Sequence, residues 1–249
     1  MAIKNGDFIL TNLTCKVKES GDVVETTLEK IARDSGLHKE GATYEPMFIV
    51  VGEGWVPKGL DESFAGMEVG QAAAFEVPPE KGYGLRDPSK MRLVPLRRFR
   101  AEGITPLPGM TVHLDGKSAV IRAVGAGRVQ LDYNHQLSGK TLLYDVKVEK
   151  VLESFEEKVR AILHRRIIGL EVEKFTTRLV EGNLTVEIPE EGFFLEGLQV
   201  LKQAVGADIL KYYPEIQQVS FVEVIKRKEP VAAEKPSQEK AVEVPVKPK

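Results

Sequence analysis

Histidine and cysteine, the side chains most often recruited as metal ligands and nucleophiles, are few in this sequence, and their spacing excludes most of what they could do. His38, His113, His135 and His164 are scattered with no ligand spacing, so neither a metal site nor a cofactor is expected. The single cysteine, Cys15, has no neighbour that would activate its thiol and reads as a small half-buried strand residue. Gly116-Lys117-Ser118 and Gly139-Lys140-Thr141 look like the end of a phosphate-binding loop. The first glycine of that loop would fall on Thr111 and on Asn134, and β runs follow where a helix is required. Arg97-Arg98-Phe99-Arg100 is one basic tetrad on a chain of formal net charge −2, which reads as a solvated face and not a nucleic-acid interface. What is left is an aromatic and aliphatic set among glycines and prolines, between Val51 and Gly84.

That set needs a scaffold. Gly52 and Gly54 allow a sharp turn after a strand. From Lys58 the pattern is helical, with Leu60, Phe64 and Met67 at i, i+4 and i+7. Gly66 and Gly70 loosen the chain before a strand over 71–77. One short helix among many strands must cover a face of a curved sheet, since alone it is marginal in water. Upstream, residues 7–27 predict a hairpin in which alternation at Phe8 and Leu10, then at Leu13, Cys15 and Val17, implies a phase slip. Residues 28–37 are a short helix or an irregular excursion, and residues 44–51 a strand.

Downstream, strand-like runs at 110–114, 118–124 and 128–133 are joined by Asp115-Gly116 and Gly125-Ala126-Gly127, both hairpin signals. They form a small meander with its own turns. Residues 141–151 return to the first sheet. Ser154 and Glu157 cap a helix whose apolar face holds Phe155, Val159, Ile162 and Leu163. A hairpin over 175–188, an amphipathic helix over 193–212 and a strand over 217–225 complete an α-β-β-α-β unit. Residues 227–249 are rich in proline, lysine and glutamate and read as a disordered tail.

Bulk properties agree. The chain has 249 residues, 42% hydrophobic and 29% charged, ordinary values for one large or two to three small soluble domains. Net charge gives no pull toward nucleic acid or membrane. The N-terminus MAIKNGDFIL lacks a signal-peptide core, and no apolar run approaches the ~20 residues of a membrane span. One cysteine fits a reducing compartment, so a cytoplasmic protein is expected.

Three ordered motifs, G-x-G-x-V-x-x-G-L-D from Gly52, G-M-x-V-G from Gly66 and P-P-E-K-x-Y-G from Pro78, resemble the FKBP family of peptidyl-prolyl isomerases. The resemblance is strongest to long archaeal members related to SlyD, whose NH-x-L-A-G-K return is similar to residues 134–140 here, with Ser138 in place of alanine. It implies an α+β fold: an FKBP-like antiparallel sheet wrapped on a short helix (residues 1–88 and 138–152), an all-β domain inserted in the flap (89–137), and a C-terminal α/β sandwich-like domain (153–226).

The resemblance also implies a pocket that lowers the barrier to X-Pro rotation by apolar surroundings and water exclusion, with no nucleophile. Its acting residues would be Tyr83, as donor to the substrate carbonyl, with Glu25, Leu60 and Tyr144. Thr14, Val24, Met47, Val56 and Pro57 would line it. Thr14 stands where the family has tyrosine, Val24 where it has phenylalanine and Glu25 where it has aspartate. Pro57 replaces a residue whose backbone N–H meets the ligand, and proline has none. On the insert, Val94, Leu96, Phe99, Met110 and Leu137 would bind unfolded polypeptide. The expected function is a peptidyl-prolyl isomerase with chaperone activity, acting on unfolded or proline-containing polypeptides and homodimeric through its C-terminal domain. Two alternatives stand beside it: a non-catalytic holdase with an eroded pocket, and an assembly protein built on the C-terminal domain.

Overall fold

The computed structural model describes residues 2–225, in two units that divide between Arg165 and Arg166. The tail expected at 227–249 lies outside the described residues. The framework of the first unit is β1 (Phe8–Val17), which pairs antiparallel with β2 (Val23–Thr26), β3 (Met47–Val50) and the long β9 (Leu142–Leu152). On β9's other side lies β4 (Ala72–Val77), giving the order β2-β1-β9-β4 with β3 beside β1. Ile9, Thr11, Leu13, Cys15 and Val17 share one side of β1 and are all buried, and Phe8 and Thr14 are buried on the other. The phase slip expected in it belongs to β9, where Glu149 is the extra residue between the pairs Leu10–Lys150 and Thr11–Val148. Thr11 occupies an apolar slot and satisfies its hydroxyl on the Lys147 carbonyl at 3.0 Å.

A short helix, α1 (Glu29–Asp34), follows β2, so the excursion over 28–37 is helical. The second helix, α2 (Lys58–Phe64), covers the sheet as the apolar spacing required, with Leu60, Phe64 and Met67 buried in one cluster with Ile9, Leu13, Val17, Ile49, Leu142 and Val146. Its entry is held from inside. Asp61, buried in the first turn, accepts from the N–H groups of Gly52 and Gly54, each at 2.8 Å. Both glycines have positive φ, 88° and 67°, so the turn is left-handed twice and its amides converge on one carboxylate. Gly59 lets the helix approach β4, since a Cβ there would stand 2.8 Å from Val77 Cγ1.

The inserted segment has one more strand and one more helix than its turn signals predict. β5 (Met91–Pro95) runs into α3 (Leu96–Ala101), and β6 (Thr111–Leu114), β7 (Lys117–Gly125) and β8 (Arg128–Asp132) follow in the sheet order β5-β8-β7-β6. The two hairpin turns carry positive φ at Asp115, Gly116, Ala126 and Gly127, as two-residue turns that match strand twist demand. Phe99 of α3, wholly buried, closes a core with Val112, Leu114, Ile121, Val129 and Leu131.

At the end of the first unit, α4 (Phe155–Arg166) opens on the expected reciprocal cap: Ser154 Oγ accepts from Glu157 N–H at 3.2 Å. In the second unit β10 (Thr176–Val180) and β11 (Asn183–Ile188) form the expected hairpin. α5 (Leu198–Tyr212) then leads to β12 (Gln218–Glu223), parallel to β11. α5 starts later than its amphipathic pattern, because Gly197 at φ 74° breaks the run from Phe193.

The Asp61 anchor is testable. Asp61→Ala leaves two turn amides without their carboxylate and is expected to cost roughly 2–4 kcal/mol, read from urea denaturation, with Asp61→Asn falling between. A loss under about 0.5 kcal/mol would mean that water replaces the carboxylate there.

Candidate functional site

Cross-strand register builds the site. Glu25 of β2, Cys15 of β1, Tyr144 of β9 and Phe75 of β4 lie opposite one another in one row across four strands. The flanking rows, Leu13–Val146–Ala73 and Val17–Leu142–Val77, point the same way, onto α2. Leu60 and Tyr144 form the buried floor, while Val24, Met47, Val56 and Tyr83 are half-buried against the same cluster. Val24 reaches this side because it is the extra residue at the irregularity in the β1–β2 pairing, between Cys15–Glu25 and Lys16–Val23. The fold therefore brings together Val24, Glu25, Met47, Val56, Leu60, Tyr83 and Tyr144.

Thr14 is not among them. It alternates with Cys15, so its side chain lies on the opposite face, where Thr14 Oγ1 and Thr26 Oγ1 share a hydrogen bond at 2.9 Å. There it lines a separate shallow groove of about 380 Å³ with Leu28, Ile31, Ala72, Ala74 and Lys147. The pocket-side residue at that point of β1 is Cys15. Pro57 precedes α2 at φ −51° and ψ 139°, and its carbonyl accepts from Leu60 and Asp61 N–H at 2.9 and 3.0 Å. It has no N–H to offer on the pocket side.

Electrostatically the site is a dry floor with a few polar groups under it. Burial pushes the Cys15 thiol up to about 11. Burial likewise raises Tyr144, as does Cys15 beside it; its hydroxyl is enclosed and finds no partner at hydrogen-bond distance among the described residues. Tyr83 is raised by the same cause, then by Glu25. Glu25 stands at the open edge, yet desolvation of its carboxyl against the apolar floor holds it above the usual carboxylate range.

Tyr83 has a second set of contacts. Its ring stacks on His135, centroids 4.3 Å apart and 3° from parallel, and its carbonyl accepts from Ser138 Oγ at 3.0 Å. His135 Nδ1 accepts from Leu137 N–H at 3.2 Å, so the histidine that the sequence places in a turn with Asn134 also fixes the pocket tyrosine. Farther out, Asp87 N–H donates to Asn134 Oδ1 at 2.9 Å, and Asn134 Nδ2 donates to Asp132 Oδ1 at 2.8 Å. Asp132, 1% exposed, is closed by Arg86 and by Arg122 Nε at 3.0 Å. The outgoing and returning linkers of the insert are thus one knot with Tyr83 at its base.

Known proteins agree with this architecture. The chain is 36% identical over 149 residues to the short-type peptidyl-prolyl cis-trans isomerase of Methanocaldococcus jannaschii, covering 60% of this chain and 94% of that one. It is 30% identical to the FKBP-type isomerase SlyD of Helicobacter pylori, over 53% of this chain and 70% of that protein. The chain belongs to the FKBP-type peptidyl-prolyl cis-trans isomerase family. A more distant relative, the FKBP-type 16 kDa isomerase of Escherichia coli, is 23% identical over 62% of this chain and 97% of its own. Family models described as the FKBP26 IF domain and the FKBP26 C-terminal domain match residues 92–137 and 155–226. Among the described residues no helix is long and apolar enough to cross a membrane.

Within this FKBP-type chain the insert residues singled out by sequence divide. Phe99 is core, with no exposed surface to offer, because α3 packs it under the sheet. Val94 and Leu96 are half-buried against that core, and Met110 is 41% exposed. Leu137 packs against the FKBP cluster and not the insert. Sequence reasoning missed Cys15, Phe75 and the Asp132 knot. The first was within reach, since Leu13 and Val17 already set the parity of β1.

Two measurements check this geometry. Cys15, buried and held protonated, is expected to resist an aromatic disulfide reagent in the folded protein and to react at once in urea. For Glu25 a raised folded value means that protonation favours the fold; that contribution is full at acid pH and lost as pH rises through the raised value. Glu25→Gln should melt with the wild type near pH 4 and above it near pH 7.5. A constant difference across that range would place the carboxyl in water.

Proposed function

We propose that the chain catalyses cis-trans isomerisation of X-Pro bonds in unfolded or proline-containing polypeptides. The observation that supports this best is the row Glu25–Cys15–Tyr144–Phe75 over α2, with Tyr83 on its rim, in a chain of this family. Rotation of a prolyl amide meets a barrier of ~18–20 kcal/mol, mostly lost resonance. Water stabilises the planar, charge-separated amide, so an apolar floor that excludes it favours the twisted state. Val24, Met47 and Val56 would hold the proline ring above Leu60, and the Tyr83 hydroxyl would donate to the substrate carbonyl. No proton needs to move. The insert would hold unfolded segments near the pocket and raise their effective concentration there. Dimerisation through residues 153–226 and a cytoplasmic setting belong to the same proposal, the first read by light scattering.

One observation favours a second reading, a holdase without catalysis. Pro57 stands where a backbone donor is expected and brings none. Isomerisation of a short X-Pro peptide separates the two. Under the first reading the wild type shows a clear rate, and Tyr83→Phe lowers kcat/KM roughly 2- to 10-fold, the worth of one hydrogen bond. Under the second the wild type is silent but suppresses aggregation, and Pro57→Ile gains a rate.

A further inference from the structure

The insert's sheet has one covered and one open face. Val129 and Leu131 point into the core with Val112, Leu114 and Ile121, under Phe99 of α3. Alternation sends their neighbours to the other side. Directly opposed residues share a face, so that side reads Met91–Asp132–Val120 in one row, Leu93–Gln130–Ala123 in the next and Pro95–Arg128 in a third. Arg122, the extra residue between Ile121 and Ala123, joins it and reaches Asp132.

This open face is apolar at its centre and basic around it. Leu93 is 59% exposed, Met91 and Val120 are half-buried, and Ala123 is exposed. The single carboxylate in those rows, Asp132, is 1% exposed and already answered by two arginines. Arg128 is exposed, and among the described residues no carboxylate pairs with it. Around the open face three arginines, Arg86, Arg122 and Arg128, stand against one carboxylate, Asp132. A ligand for such a face has apolar side chains to cover Leu93 and a carboxylate to meet Arg128, with Arg122 already held on Asp132 beside it.

We propose that this open face, centred on Leu93 and flanked by Arg122 and Arg128, is the polypeptide-binding surface of the insert and selects apolar segments flanked by Asp or Glu. The proposal rests on the reading of the insert as a polypeptide binder. It moves the surface from the covered side, where Val94, Leu96 and Phe99 lie, to the opposite one. Basic segments are disfavoured by like charge, and the preference weakens with salt because the guanidinium groups are exposed.

The test is fluorescence anisotropy with the full chain and three labelled, permanently unfolded peptides. They share one apolar centre and are flanked by Asp/Glu, by Ser or by Lys/Arg. The acidic peptide is expected to bind roughly ten-fold tighter than the basic one at low salt, with the gap closing at high salt. Arg128→Glu should remove or reverse the preference, and Leu93→Ser should weaken all three peptides alike, in variants whose melting curves show them folded. Equal binding of acidic and basic peptides, or a gap that Arg128→Glu leaves unchanged, overturns the charge selection alone. No binding of any peptide by the wild type overturns the polypeptide-binding reading and this proposal with it. Binding of a single-stranded oligonucleotide that Arg128→Glu abolishes, without binding of the acidic peptide, would assign the face to nucleic acid and overturn it as well.

Discussion

The pairing of β1 with β9 is the constraint on which the rest of the first unit depends. All of β1, from Phe8 to Val17, runs against β9, while β2, β3 and β4 only add to this central pair. The two strands are separated in sequence by the helix that forms the floor and by the whole insert. Closing such a loop costs entropy before any contact repays it. The return is a row of side chains in fixed register, which no local element could supply. Glu25, Cys15, Tyr144 and Phe75 come from four strands and meet only because β1 and β9 align.

The chemistry available at that row follows from its dryness. Cys15 and Tyr144 are polar atoms built into an apolar floor, and burial keeps both protonated and neutral. Glu25, at the open edge, has its carboxyl held above the usual carboxylate range by desolvation. Such a surface has no nucleophile to offer and little charge to hold water, which suits a reaction whose only demand is a twist about one bond. Pro57 works against this arrangement. It stiffens the entry to α2, where Asp61 gathers the preceding turn, at the loss of an N–H beside the site.

The insert meets the site through its linkers. Tyr83 is both a rim residue of the cluster and the base of the knot that continues through His135, Ser138, Asn134 and Asp132. The Gly139 N–H bonded to the Gly84 carbonyl at 2.8 Å zips the two linkers at their start. A buried carboxylate shared by two arginines is costly to break once one partner is gone, so the linkers hold one arrangement.

Much of this was legible in the sequence. The helix with Leu60, Phe64 and Met67 followed from spacing, the hairpin turns of the insert from Asp-Gly and Ala-Gly, and the cap of α4 from Ser154 and Glu157, because each depends on residues a few positions apart. The family followed from three ordered motifs, and the fold gathers Val24, Met47, Val56, Leu60, Tyr83 and Tyr144 into one cluster. What sequence left open are relations between distant strands. The resemblance puts Thr14 in the pocket, whereas parity with Leu13 and Val17 gives that side to Cys15. The slip assigned to β1 lies at Glu149, since a bulge shows only when both strands are in hand. Phe99 looks like a binding residue until α3 folds it inward, and Leu93 gains meaning only when the sheet turns its other face to solvent. Spacing along the chain determined the elements and their turns; register between strands decided which side chains share a face, and with them the site.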